Sequence, residues 1–316
     1  MKGNLHYRYL ALLSGLGLLL SLAGCGNDND YKQVSFSQEN VTRDPRTLVR
    51  GEGELQMAVA AMISPQETFS KYQALLNYLG GQIGRDIRMV QRKTYGEVNQ
   101  LLKEGKLDLA FVCSGPYANA RKSSGFEAIV TPVVRGEPFY KAYLIVNKDS
   151  GIGKLEELKG KRFAFTDPDS NTGALVPKYW LAQMGERPES FFSKIVYTSS
   201  HDNSIMAVAR SLVDGATVDS HVWDYFSARN PVHAARTVVI RESMPFGSPP
   251  IVAATHLDDA TKSRIREALL HMHTEETGRT ILNALLIDKF VPTEAAWYAP
   301  IENLGDEIQA QRGAAP

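Results

Sequence analysis

Residues 162–184 read Arg-Phe-Ala-Phe-Thr-Asp-Pro-Asp-Ser-Asn-Thr-Gly-Ala-Leu-Val-Pro-Lys-Tyr-Trp-Leu-Ala-Gln-Met. Arg162–Phe165 has strand character and Ala174–Met184 helix character, with the polar group Ser170-Asn171-Thr172-Gly173 opening the helix. A strand feeding a helix through a short polar turn is half of a βαβ unit. Upstream, Leu155–Leu158 reads as a short helix ended by Gly160, and Ala142–Val146 as a strand. Leu107–Val112 is an apolar run broken only by Asp108, the pattern of a strand buried on both faces. Tyr95–Leu102 and Lys71–Leu79 have helical spacing, the latter stopped by Gly80-Gly81, while Ile87–Val90 and Leu55–Ile63 read as strands. Downstream, Ile195–Tyr197 and Gly215–Val218 are strands, and Ile205–Leu212, Asp258–His273 and Gly278–Leu286 are helices. This alternation predicts an α/β fold with mostly parallel sheets.

The chain of 316 residues begins with a basic stretch and an apolar run from Tyr9 to Leu22, which have the form of a signal peptide. The run is too short for a comfortable membrane span. It ends in Leu22-Ala23-Gly24-Cys25, which resembles the bacterial lipobox. The expected layout is therefore a signal peptide over 1–24 and a lipidated Cys25 that begins a polar tether over 25–54. The one other cysteine, Cys113, has no disulfide partner in a mature chain whose Cys25 is lipidated, so the fold must rest on its core. Cys113 itself reads as a small buried residue. Thirty-five basic side chains balance thirty-five acidic ones, which argues against a nucleic-acid partner. About 260 folded residues suffice for two lobes of roughly 100–150 residues each.

Three groups of residues carry chemistry. Ser170, Asn171, Thr172 and Gly173 stand at a helix N-terminus, where free N–H groups and a partial positive charge favour anions. The three polar side chains add donors, and Gly173 allows close backbone approach. Ser, Asn and Thr are also good N-caps, so plain capping is the competing role. Asp219-Ser220-His221 follows the strand Gly215–Val218, and Ser114 follows Leu107–Val112. In α/β sheets ligands bind at the carboxyl ends of strands. Ser220 can donate to an oxyanion, Asp219 can accept a proton carried by a monoanion, and Asp219 can equally cap the following helix. His201, Asp219 and Ser220 could also be combined into a nucleophilic triad, but no Gly-x-Ser-x-Gly elbow surrounds Ser220. His271 and His273 lie two apart and share no helix face, so no metal or cofactor site is expected.

Several segments together resemble the phosphate/phosphite/phosphonate-binding family of periplasmic proteins. They are Ser64–Glu67 with Tyr72–Leu79, Gly105–Phe111 with Ser114–Tyr117, Ala142–Ser150 with Leu155–Lys161, Asp167–Gly173 with Leu175–Pro177, and Ser200–Asp202 with Ala207–Ala209 and Val213–Ala216. The resemblance implies two α/β lobes joined by two crossing strands, with the ligand in the cleft. Carried over, lobe one is 55–141 plus 253–316 and lobe two is 142–252, with crossings near Tyr140–Ala142 and Ile251–Ala253. It implies that His201 contacts the ligand, where it would donate a hydrogen bond and could become cationic near neutral pH, and that Tyr95 and Tyr117 line the cleft. The implied protein is extracytoplasmic and monomeric, captures a small phosphorus oxyanion for an ABC permease in the inner membrane, and is not an enzyme. A sensor acting on a membrane partner and a hydrolase of the same fold remain alternatives. Family members that take an aminoalkylphosphonate meet its ammonium with acidic groups. Two such positions fall here on His221 and Pro249, which predicts phosphite, phosphate or a short alkylphosphonate.

Overall fold

The computed structural model describes residues 53–60, 62–121 and 125–314. Cys25, the signal peptide and nearly all of the tether lie outside the described residues. The first strand, β1 (Leu55–Val59), is fully buried and leads to α1 (Pro65–Ile83). The sequence stops this helix at Gly80-Gly81, but it runs on to Ile83 and ends at Gly84, whose φ of 67° caps it. Gly80 is needed inside the helix because the returning chain passes over it: a Cβ there would lie 2.9 Å from the Arg85 carbonyl oxygen.

β2 (Ile87–Val90) and β3 (Leu109–Phe111) pair in parallel with β1. Between them, α2 (Tyr95–Lys103) begins with a reciprocal capping box between Thr94 and Glu97. β3 is followed by α3 (Ser114–Ala120) and then by β4 (Phe126–Val133). After β5 (Phe139–Tyr140) the chain enters a second sheet with β6 (Ala142–Asn147) and β7 (Arg162–Phe165). A π-helical turn over Asn171–Leu175, α4 (Val176–Gln183), α5 (Pro188–Phe191) and β8 (Lys194–Tyr197) follow. Next come α6 (His201–Ala209), β9 (Gly215–Asp219), α7 (Ser220–Arg229), α8 (Pro231–Ala234) and β10 (Thr237–Glu242). The chain returns through β11 (Phe246–Gly247) to β12 (Ile251–Ala254), α9 (Asp259–His271), α10 (Glu276–Leu285), β13 (Lys289–Val291) and α11 (Ala299–Ala314).

The result is two lobes. One sheet has the order β13-β4-β12-β3-β1-β2 and the other β10-β6-β9-β7-β8. The two passages between them pair as an antiparallel ribbon, Tyr140 against Phe246 and Phe139 against Gly247. The sheets are mixed rather than mostly parallel. β12 pairs antiparallel with both β3 and β4, and β6 with both β9 and β10. The crossing chain causes this, because it enters each sheet at the opposite end from the βα units already there. Ile251 and Val252, read from sequence as the close of lobe two, pair with Phe111 and Ala110 in the first sheet. The first lobe's core gathers β1, β3, β12 and the inner faces of α1 and α9, including Leu75, Leu79, Phe111, Ile251, Ile265 and Leu269. The second lobe has its own core around Ile145, Ala164, Ile205, Val208, Ala216 and Val218.

Candidate functional site

β7 and β9 run in parallel as neighbours, so their carboxyl ends lie side by side. The chain leaving β7 passes through buried Thr166 and Asp167 into the π turn. Gly173 is required there by internal packing rather than by ligand approach. A Cβ on it would sit 2.5 Å from Thr166 Oγ1 and 2.6 Å from Thr166 Cβ. Ser170 is the N-cap: its Oγ accepts the Gly173 N–H at 3.0 Å. The capping role therefore belongs to Ser170, and its neighbours have other bonds. Asn171 Nδ2 donates to Tyr140 Oη at 3.1 Å, while Asn171 Oδ1 and Thr172 Oγ1 are buried with no protein partner. The opening turn is π-helical, where sequence predicts the start of a regular α-helix; the Val176 N–H reaches back to the Asn171 carbonyl. Such turns recur at functional positions.

His201 is fully buried at the start of α6. Its Nδ1 accepts the Asp219 N–H at 3.2 Å and lies 3.1 Å from Thr166 Oγ1. With Nδ1 an acceptor, the neutral ring carries its proton on Nε2, which has no protein partner. Burial pushes the His201 pKa down to about 3, so the ring donates as a neutral imidazole and does not charge near neutral pH. The sequence expectation of a cationic His201 is thus corrected by desolvation.

Asp219 caps α7, its Oδ1 accepting the N–H groups of His221 at 2.7 Å and Val222 at 3.2 Å. Burial lifts its pKa to about 7 despite those bonds. Ser220 Oγ accepts the Lys141 N–H at 3.0 Å. Burial, with a smaller push from Arg135, lowers His221 to about 4, and its Nε2 lies 3.0 Å from Ser248 Oγ. These bonds do not form a nucleophilic triad: the Asp219 carboxylate meets backbone N–H groups, and Ser220 meets Lys141 rather than an imidazole.

Lobe one contributes Tyr95, whose backbone N–H donates to Asp167 Oδ2 at 3.2 Å across the cleft and whose Oη is buried without a protein partner. Ser114 Oγ donates to the Gly247 carbonyl at 2.7 Å, tying α3 to the returning crossing strand. Tyr117 is not brought to the site. Its ring packs edge-on against Tyr298 at 4.6 Å between centroids, beneath α11. Cys113 is buried as the N-cap of α3, its thiol pushed up to about 12 by desolvation.

Tyr140, Thr166 and Asp167 escaped sequence reasoning. Their signal was position alone: Tyr140 sits on a crossing strand, and the other two immediately follow β7. Beyond Asp219 and His221 lies a half-open cavity of about 80 Å³ between the lobes. Ile63, Tyr72, Phe111 and Ile287 form part of its wall.

Four of the buried polar atoms without a protein partner, Tyr95 Oη, Asn171 Oδ1, Thr172 Oγ1 and His201 Nε2, thus belong to segments at these adjoining strand ends and the facing α2 terminus. Leaving such an atom buried and unpaired costs about 1–3 kcal/mol. Three of the four can donate and none carries charge, which suits a small oxyanion held by neutral dipoles.

Comparison with known proteins agrees with this geometry. The family described as "ABC transporter, phosphonate, periplasmic substrate-binding protein" matches residues 57–298. The phosphonates-binding periplasmic protein of Escherichia coli is 26% identical over 258 residues, covering 80% of this chain and 76% of that protein. The crystal structure of a binding-protein component of an ABC phosphonate transporter from Pseudomonas aeruginosa superposes with a TM-score of 0.77 at 26% identity. That match covers 82% of this chain and 87% of the other. The methylphosphonate complex of a Prochlorococcus marinus protein shares the fold, with a TM-score of 0.74 at 19% identity. It covers 82% of this chain and 99% of its own.

Proposed function

This chain belongs to the periplasmic substrate-binding proteins of phosphonate ABC transporters, and from that premise we propose that it selects a phosphorus oxyanion carrying no amine. As a family member it is an extracytoplasmic solute-binding protein that captures a phosphorus oxyanion and delivers it to an ABC permease. The proposed ligand is phosphite, phosphate or a short alkylphosphonate. The proposed contacts are Thr172 Oγ1, His201 Nε2 and Tyr95 Oη as donors to the oxyanion, with Asn171 or Asp219 accepting a proton that a monoanion retains. Because the donors are neutral and the Asp167 carboxyl stands nearby, a monoanion is favoured over a dianion.

The observation that carries the exclusion of an amine is the wall formed by His221 and Pro249. Pro249 has no side-chain acceptor, and His221 is held neutral by burial. Among the described residues Asp219 is the one carboxylate in that wall, with Oδ1 already committed to two N–H groups. A buried ammonium short of anionic partners costs several kcal/mol. Calorimetric titration with phosphate, phosphite, methylphosphonate, 2-aminoethylphosphonate, sulfate and nitrate tests the proposal. Tightest binding to 2-aminoethylphosphonate would overturn it.

Lipid attachment at Cys25 belongs to the same proposal and rests on Leu22-Ala23-Gly24-Cys25 at the end of the apolar run. Mass spectrometry of the mature protein is expected to find an acylated N-terminal Cys25. A mature N-terminus at any other residue would reject the anchor.

A further inference from the structure

We propose that the cavity behind Asp219 is a substituent pocket that takes a two- or three-carbon alkyl group on the phosphorus, so that ethyl- or propylphosphonate binds more tightly than phosphite or phosphate. The proposal rests on the reading above, that the oxyanion occupies the site formed by Tyr95, Thr172 and His201.

The pocket adjoins that site through a shared residue. The Asp219 N–H holds His201 Nδ1, which leaves Nε2 as the donor, and the Asp219 side chain forms part of the cavity wall. Apart from Asp219, His221 and Lys71, the wall is aliphatic and aromatic, from Ile63, Tyr72 and Phe111 on one lobe to Val222 on the other. A tetrahedral phosphonate that presents its oxygens to the donors projects its fourth substituent away from them, and this half-open cavity is the apolar space that adjoins them at Asp219.

The volume sets the size of the group. About 80 Å³ is roughly half of a 150 Å³ apolar cavity of the kind that accepts benzene, so a short chain fills it and an aromatic ring exceeds it. The wall sets its polarity. A hydroxyl or an amine would lose its water against carbon surfaces, and the cation in the wall, Lys71, repels an ammonium. A phosphite P–H or a phosphate oxygen leaves the apolar wall without contacts, whereas a methylene chain gains dispersion contacts and leaves water.

Calorimetry on the full mature protein with phosphite, phosphate, methyl-, ethyl-, propyl- and phenylphosphonate tests this series. Affinity is expected to rise about fourfold per added carbon until the cavity is full, and to gain nothing further for phenyl. Val134→Phe, which narrows the cavity from its half-buried edge, is expected to shrink the ethylphosphonate-to-phosphite affinity ratio at least fivefold. Ile287→Ala should move the optimum to a longer chain. Phosphite or phosphate binding as tightly as ethylphosphonate in the wild-type protein overturns the pocket while leaving the amine-free reading intact. Tightest binding to 2-aminoethylphosphonate, added as a control, overturns both, as does failure of every phosphorus oxyanion to bind. The wild-type series decides the matter even if a variant does not fold.

Discussion

Gly115→Ala perturbs ligand binding without touching either core. Gly115 lies in the first turn of α3 in lobe one, and a Cβ on it would meet backbone of lobe two, the Asp169 carbonyl oxygen at 2.6 Å and the Asn171 nitrogen at 2.8 Å. Ordinary contact begins near 3.4 Å, so the lobes must part by about 0.8 Å at this point, and backbone offers no flexible side chain to turn aside. Overpacking of this kind costs about 1–3 kcal/mol. That cost falls only on the arrangement in which the lobes meet, the same arrangement that joins the Tyr95 N–H to Asp167 across the cleft. Ligand affinity should therefore weaken roughly 5- to 150-fold. An isolated lobe pays nothing, and Ala in place of a helical Gly is favourable by up to about 1 kcal/mol. Calorimetry gives the affinity, the ligand-free melting temperature gives the stability, and scattering with saturating ligand gives the radius. A variant that binds as tightly as wild type would refute the argument, and so would one whose affinity and ligand-free stability fall together.

Thr172→Val should lower ligand affinity about 5- to 150-fold while leaving ligand-free stability unchanged or improved, because the Thr172 hydroxyl has no protein partner to lose. Ser170→Ala should instead destabilise the fold by about 1 kcal/mol, since it removes the cap on the Gly173 N–H; equal behaviour of the two variants in melting and titration would contradict the assignment. Asp219 has a folded pKa raised from 3.8 to about 7, so the folded state holds its proton longer than the unfolded one, and the associated stability is full below pH 3.8 and lost as pH rises to about 7. Asp219→Asn keeps an N-capping acceptor, so it should be more stable than wild type at pH 8, with the gain gone by pH 4; a pH-independent difference in melting temperature would count against a buried neutral carboxyl. His201 has the opposite sign: its pKa is depressed from 6.5 to about 3, so its contribution is full above pH 6.5 and drains away toward pH 3. His201→Gln should flatten the acid limb of the melting profile, and an unchanged limb would show that this ring does not govern it. The pair between Arg135 and Asp224 spans the lobes at 2.8 Å, but the Arg135 side chain is 67% exposed. Arg135→Ala should therefore shift ligand affinity by no more than about fivefold, with the effect fading at high salt; a larger or salt-insensitive loss would reveal a contribution beyond a surface ion pair.

Those parts of this protein that depend on local pattern are legible in its amino-acid sequence. The run Arg162–Phe165 and the polar turn before Ala174 mark a strand end and a helix start whatever surrounds them, because pairing, capping and the period of burial act within a few residues. The same locality made Ser170–Thr172 and Asp219 visible as candidates, whereas His201 stood out only through the family resemblance. What sequence could not give was direction and environment. The antiparallel entry of β6 and β12 depends on where the crossing chain arrives, which no window of residues encodes. The strand over Phe126–Val133 was missed for a related reason: its last five residues are buried on both faces, so no alternation sets it apart. The tertiary structure also divided labour within one tetrapeptide, giving the cap to Ser170 and leaving the Thr172 hydroxyl unpartnered, and it moved Tyr117 beneath α11. It held His201 neutral although an exposed histidine titrates near 6.5, because desolvation is a property of the whole packed shell rather than of the neighbouring residues in the chain. The apolar cavity was beyond any linear reading, since its wall is assembled from residues as far apart as Val59 and Ile287, which meet only because both lobes fold and face each other.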